Sequence, residues 1–242
     1  MILVTNDDGY SRGLEMLLKA AKQVDEAYAV IPAKHRSAVS CALTSHKPLR
    51  FAKHSQDIYT LNGTPADCVL FSIYSGDVTK PDLILSGLNF GDNSGLSAII
   101  CSGTLGACLT ASVEGVPAIG FSLCIPNRDA WRNKTEWGDE TKIVEAIVKL
   151  IKELKSKIKD GMFFSVNLPM SDLDKAKIIY PEKLQRSRFK TIITKRNDPY
   201  DLPYYWLSGD YSNAEKGTDL YEVLVNKNIT VTPISINMLY DK

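Results

Sequence analysis

Short, almost purely apolar runs alternate with helical stripes along the first half of this chain, and that alternation constrains its fold more than any other feature. Ile2-Leu3-Val4, Tyr28 to Ile31, Ile58 to Leu61, Leu83-Ile84-Leu85 and Pro117 to Leu123 are too short for buried helices and carry no polar alternate positions. They read as strands covered on both faces. Between them, Leu14, Leu17, Leu18, Ala21 and Val24 recur at helical spacing after Gly13. Gly63-Thr64-Pro65 opens a second helix, with Thr64 as cap, Pro65 in the first turn and Asp67 at the third position. A third runs from about Ser102 to Glu114 and is closed by Gly115. The expected fold class is therefore a doubly wound, three-layer α/β/α core around a mostly parallel sheet. Such sheets hold their ligands at the carboxyl ends of the strands.

The second half is less regular. Ile143, Ile147, Leu150, Ile151, Leu154 and Ile158 form one helical stripe, and Met162 to Val166 is a strand before Asn167 and Pro169. Short β-like runs follow at Ile178-Ile179, Thr191 to Thr194 and Tyr204 to Leu207, then a helix at Thr218 to Val225 and a strand at Ile229 to Ile234. This predicts a catalytic core over residues 1–169 and a β-rich extension over 170–242.

Composition excludes several classes. The chain of 242 residues is 44% hydrophobic and 24% charged with a net charge of +1, a globular balance with no whole-protein field for a nucleic-acid backbone. Residues 141–196 hold 14 Lys/Arg against 6 Asp/Glu, which reads as a solvated surface and, functionally, could only steer anions. The five cysteines, odd in number and without a Cys-x-x-Cys pair, speak for buried reduced thiols and a cytoplasmic protein rather than zinc or disulfides. Asp7-Asp8 interrupt the apolar start where a signal peptide would continue. Nothing between Asp92 and Glu114 is charged, but its serines, threonines and glycines make it a buried loop and helix, not a membrane span.

The chemistry lies at the strand ends. The first strand runs into Asn6-Asp7-Asp8-Gly9, two adjacent carboxylates at a strand end, which read either as a water-exposed Asx turn or as a pair held by a cation. Hard divalent cations such as Mg²⁺ or Mn²⁺ take such oxygen ligands. Ser37, after the second strand, and Asn89, after Leu83-Ile84-Leu85, can add neutral oxygens at the same edge. Ser102-Gly103-Thr104 opens a helix, whose free N–H groups and positive dipole end suit phosphate, and Asn93 could close that cradle. Asp92 suits phosphate poorly and is expected to turn away or face water. His35, His46 and His54 are sparse and read as structural or surface residues. A dinucleotide Gly-x-Gly-x-x-Gly, a P-loop and a Gly-x-Ser-x-Gly elbow are all absent from the sequence.

In combination these blocks resemble the SurE survival-protein family of nucleotidases. Asn6-Asp7-Asp8-Gly9, Arg36-Ser37 with Leu43-Thr44, Gly63-Thr64-Pro65-Ala66-Asp67-Cys68, Ser86-Gly87-Leu88-Asn89, Gly91-x-Asn93, Ser102-Gly103-Thr104 and Pro117-Ala118 occur in the family's order. The match is dense to about residue 123. It is patchy beyond, through Asn167-x-Pro169, Gly217-Thr218-Asp219 and Ile229 to Pro233. The resemblance implies a metal-dependent phosphoric monoester hydrolase acting on 5′- and also 3′-nucleoside monophosphates. It implies one divalent cation per subunit, Mg²⁺ or Mn²⁺, held by Asp7, Asp8, Ser37 and Asn89, with phosphate at Asn93, Ser102, Gly103 and Thr104. It also implies a Rossmann-like α/β core with a C-terminal β-rich extension exchanged between protomers of a homodimer or homotetramer. Asp7 and Asp8 would be the catalytic pair, through a metal-activated water rather than as a covalent nucleophile. Ala38, Leu88 and Cys101 depart from the family's usual Gly, Ile and Tyr, the first two within the same size class; Tyr10-Ser11-Arg12 also differs from its commoner small-residue loop, which offers Arg12 as a substrate contact. The rival readings are a non-catalytic nucleotide or polyphosphate sensor on the same scaffold and, with less support, an RNA-associated module.

Overall fold

The computed structural model describes residues 1–126 and 137–237. A nine-stranded sheet runs through the molecule in the order β3-β4-β2-β1-β5-β6-β7-β11-β8. Its strands are β1 (Ile2–Thr5), β2 (Ala27–Pro32), β3 (Phe51–Lys53), β4 (Ile58–Leu61), β5 (Leu83–Phe90), β6 (Ala118–Cys124), β7 (Met162–Pro169), β8 (Ile178–Ile179) and β11 (Ile229–Ser235). The pairs from β4 to β7 are parallel; β3 on β4 and β11 on β7 are antiparallel. A separate antiparallel hairpin is formed by β9 (Phe189–Asn197) and β10 (Pro203–Tyr211). This is the three-layer α/β fold expected from the apolar runs.

The period of two in a strand decides which helix layer each side chain meets. Ile2 and Val4 join the cluster with α1 (Arg12–Lys22) and α5 (Glu140–Leu154), whereas Leu3 between them joins α2 (Pro65–Tyr74) and α4 (Gly103–Val113) on the other face. Leu83 and Leu85 against Ile84 repeat the pattern in β5. Fully burying one such side chain contributes about 1.5–3 kcal/mol. Thr64 caps α2 as expected, its hydroxyl taking the Asp67 N–H at 3.1 Å while Asp67 returns a bond to the Thr64 N–H at 2.8 Å. The same pair reaches outward: the Thr64 hydroxyl donates to Ala42 O at 2.6 Å, and Asp67 accepts from Thr44 N at 3.0 Å. The long connection after β2 is thereby tied to α2.

Three elements differ from the sequence reading. β5 does not end at Ser86-Gly87; it runs to Phe90 across an irregularity between Ser86 and Asn89, because β6 continues to pair with it at Ser122 and Leu123. The uncharged stretch after Asp92 contains a short helix, α3 (Leu96–Cys101), that no side chain caps and whose Leu96 and Ile100 are exposed. The Leu96 and Ser97 N–H groups are taken by the carbonyls of Gln185 and Arg186, a non-local signal. β3 is a three-residue edge strand that pairs with β4 and packs Phe51 on Phe71 of α2. Beyond residue 169, β8, β11 and α6 (Asp219–Leu224) pack onto the main body, and the β9-β10 hairpin forms a two-stranded sheet of its own. Among the described residues no helix is long and apolar enough to cross a membrane.

The strand order reverses at β1. The chain passes from β1 through β2 to β4 on one side and returns to β5 on the other. An open α/β sheet forms its ligand crevice at such a switch point.

Candidate active site

The loop leaving β1 is closed by Asn6. Its side-chain oxygen accepts from Gly9 N at 3.0 Å and its amide donates to Gly9 O at 2.7 Å. Gly9 takes φ +76°, a left-handed conformation, and a Cβ there would stand 3.0 Å from Pro32 O. The turn splits the two carboxylates. Asp7 is 4% exposed, and Asp8 opens to a cleft with its side chain 22% exposed.

Asp7 is where three elements meet. Arg36 N, from the loop after β2, donates to Asp7 O at 2.6 Å. The first turn of α4 lies against the side chain, where Thr104 Oγ1 donates to Asp7 Oδ1 at 2.8 Å. A Cβ on Gly103 would come within 2.8 Å of Asp7 Cβ and 3.0 Å of Arg36 O, so this approach requires glycine. Burial pushes the Asp7 carboxyl up to about 6, the Asp8 charge pushes it the same way, and the Thr104 hydrogen bond opposes both. A buried carboxylate beside a second one is a costly arrangement that a bound cation would relieve. Asp8 Oδ1 lies 3.0 Å from His35 Nε2.

Asn89 and Asn93 come from the end of β5 and the loop beyond it. Asn89 donates its amide to Gly91 O at 2.6 Å, and the residue lines the cavity. Asn93 is buried; its N–H donates to Asn167 Oδ1 and its side-chain amide to Ser122 Oγ, both at 2.8 Å. The ends of β6 and β7 thus orient it. A cavity of about 940 Å³ opens over these groups and is walled by Asp8, Ser37, Asn89 and Asn93. Phe90, Trp137, Phe189 and Tyr211 line it as well. It can hold a molecule with an anionic end and a flat apolar end.

The structure brings Asp7, Asp8, Ser37, Asn89, Asn93, Ser102, Gly103 and Thr104 into one region, in two tiers. Asp8, Ser37, Asn89 and Asn93 line the cavity; Asp7, Ser102, Gly103 and Thr104 are packed behind its wall. The Thr104 hydroxyl has Asp7 as its acceptor, and Ser102 Oγ caps α4 by accepting from Leu105 N at 3.2 Å. Asp92 does not face water: its side chain is 4% exposed and pairs with Arg188. His35, read as structural or surface, is an exposed side chain, and it also lies against Asp8 on the cavity wall. Its position two residues before Ser37, just past a strand end, was the available signal. His54 packs on Tyr10, with ring centroids 4.6 Å apart. Arg12 also lines the cavity while pairing with Glu140.

Among the described residues no three His, Cys, Asp or Glu side chains converge. A cation here would rest on two carboxylates and neutral oxygens, the donor chemistry that Mg²⁺ and Mn²⁺ accept. The buried, upshifted Asp7 beside Asp8 fits that charge.

Comparison with known proteins identifies relatives of the whole chain. The family model described as "Survival protein SurE" matches residues 2–191. The "5′-nucleotidase SurE" of Thermofilum pendens is 39% identical over 243 residues, covering 98% of this chain and 90% of that protein. That of Hyperthermus butylicus is 35% identical over 98% of this chain and 85% of its own length. The crystal structure of the SurE protein from Aquifex aeolicus superposes with a TM-score of 0.79 at 32% identity, covering 99% of both chains.

Proposed function

The chain belongs to the SurE survival-protein family, and on that premise we propose that it is a divalent-metal-dependent 5′-nucleotidase. It hydrolyses 5′-nucleoside monophosphates, and 3′-monophosphates on the same site, to nucleoside and phosphate. The observation that carries the reading is the buried Asp7 beside the cleft-facing Asp8 at the switch point of the sheet.

Asp7 and Asp8 hold one cation per subunit, with Ser37 and Asn89 Oδ1 as neutral donors. When bound, Mg²⁺ or Mn²⁺ supplies charge neutralisation for the phosphoryl group and acidifies a water. Thr104 and Arg36 N fix Asp7, and His35 orients Asp8. The Asn93 side chain, held by Ser122 while the Asn93 N–H donates to Asn167, faces the phosphoryl oxygens, and the amino end of α4, packed behind the wall, adds the positive end of its dipole. The aromatic lining takes the base and keeps water from that part of the cleft. The protein works in the cytoplasm as a homodimer or homotetramer. The assembly reading is supported by the β9-β10 hairpin, which leaves Ile193, Tyr205, Trp206 and Leu207 exposed.

The test is phosphate release from chelator-stripped protein on a panel of 5′- and 3′-nucleoside monophosphates and p-nitrophenyl phosphate, with Mg²⁺ or Mn²⁺ added back. Metal-restored release is expected. Folded protein that binds nucleotide but releases no phosphate with either metal would overturn the enzyme reading in favour of a sensor.

A further inference from the structure

Arg188 sits at the root of the β9 strand with its side chain 3% exposed, a costly place for a guanidinium unless its partners are fixed. Its Nε lies 3.3 Å from Asp92 Oδ2, close enough for charge pairing though not aligned as a hydrogen bond. Its Nη2 donates to Ile125 O at 3.1 Å, just beyond β6. Its guanidinium carbon stands 4.5 Å over the Tyr211 ring, at the end of β10. The hairpin root is therefore bolted to Asp92, which lies between Asn89 and Asn93. A second anchor acts beside it: Asp219, buried at the start of α6, accepts from Gly95 N at 2.6 Å and Gln185 N at 2.8 Å. The cavity wall from Gly91 to Asn93 is thus set by groups nearly a hundred residues away.

The charge matters as much as the grip. An isolated carboxylate at position 92 would lie next to Asn93 and repel an anionic substrate. Paired with Arg188, it contributes little net field there. We propose that Arg188 is a positioning residue for the phosphate end of the site: it orients the 91–93 loop through Asp92 and cancels the charge of Asp92 toward the substrate. The proposal rests on the nucleotidase reading above.

The experiment compares Arg188→Met, the double variant Arg188→Met/Asp92→Asn, Asp92→Asn alone and, as a control, Lys183→Met, which removes only an exposed pair with Glu215. Steady-state kinetics use 5′-AMP and saturating Mn²⁺, with melting temperature recorded for each protein. Arg188→Met is expected to lose on the order of 10- to 100-fold in kcat/KM, mostly through KM, as a misplaced binding loop does. Adding Asp92→Asn is expected to recover the part of that loss that the bare Asp92 charge causes, and Lys183→Met alone to keep kcat/KM at the wild-type value. Rescue of KM by removing the opposite charge is not a result that general loosening of the fold would produce. Wild-type KM in Arg188→Met, or a double variant no better than the single, would overturn the proposal. If Arg188→Met does not fold, Asp92→Asn alone decides: a changed KM at unchanged melting temperature supports the role, and wild-type KM overturns it. Failure of the nucleotidase reading shows separately, as absence of metal-dependent release in the wild type.

Discussion

Replacing Thr104 by valine isolates one atom at the centre of the site. Valine keeps the shape of the side chain and deletes the hydroxyl that donates to Asp7 Oδ1 at 2.8 Å. Thr104 is fully buried and Asp7 is 4% exposed, so water cannot replace the lost donor. A hydrogen bond to a charged acceptor contributes about 1.5–3 kcal/mol, a neutral one about 0.5–1.5 kcal/mol. The penalty therefore depends on the state of Asp7, whose carboxyl is raised from an ordinary 3.8 to about 6. A raised carboxyl favours the fold fully below the unfolded value, and that contribution is lost as pH rises through about 6. Over that window metal-stripped wild-type protein should lose about 3 kcal/mol from Asp7. In Thr104→Val the ionised carboxylate lacks its donor, so the loss at high pH is larger. The expected penalty of the substitution is about 1.5–3 kcal/mol at pH 8, shrinking by about 1 kcal/mol at pH 5, where Asp7 is protonated in the folded protein. Urea denaturation of chelator-stripped wild type and variant at the two pH values measures it. An equal penalty at both would refute the reasoning, because it would mean that Asp7 is not the group the hydroxyl serves.

Other expectations follow from the same geometry. Asp8→Asn should abolish metal-dependent phosphate release while the melting curve stays that of a folded protein; near-wild-type turnover would remove Asp8 from the metal site. Gly103→Ala should weaken Mn²⁺ binding measured by calorimetry, since its methyl must displace Asp7 Cβ from 2.8 Å. Ala38 takes φ +57°, where a non-glycine residue carries about 1–2 kcal/mol of strain, so Ala38→Gly should raise stability by up to about 1 kcal/mol after glycine's own entropy cost. An unchanged or lowered urea midpoint would contradict that assignment of strain.

The Ala38 case shows how far residue types carry an argument. As a replacement for glycine it reads as a change within one size class, and size is indeed conserved. The cost lies in a backbone dihedral, which no local pattern displays. His35 is similar. Its neighbours in sequence mark it as a loop residue, and only the return of β2 beside β1 sets its ring against Asp8.

What the amino-acid order determined was everything that depends on local periodicity and capping. The alternation of apolar runs with helical stripes dictates a parallel sheet between two helix layers. Thr64-Pro65-Asp67 dictates the start of α2, and strand ends carrying Asp7, Asp8, Ser37, Asn89 and Asn93 must gather at one edge of such a sheet. These interactions span a few residues, or follow from the chirality of strand–helix–strand connections. Tertiary structure alone decided which of those groups face the cavity and which stand behind it. The Thr104 hydroxyl turned to Asp7 because Gly103 lets α4 approach within contact of that carboxylate. β5 ran on to Phe90 because β6 offered partners, and Asp92 was drawn inward by an arginine 96 positions away in the chain. Each outcome was set by a partner distant in sequence, whose position is defined only once the sheet has assembled.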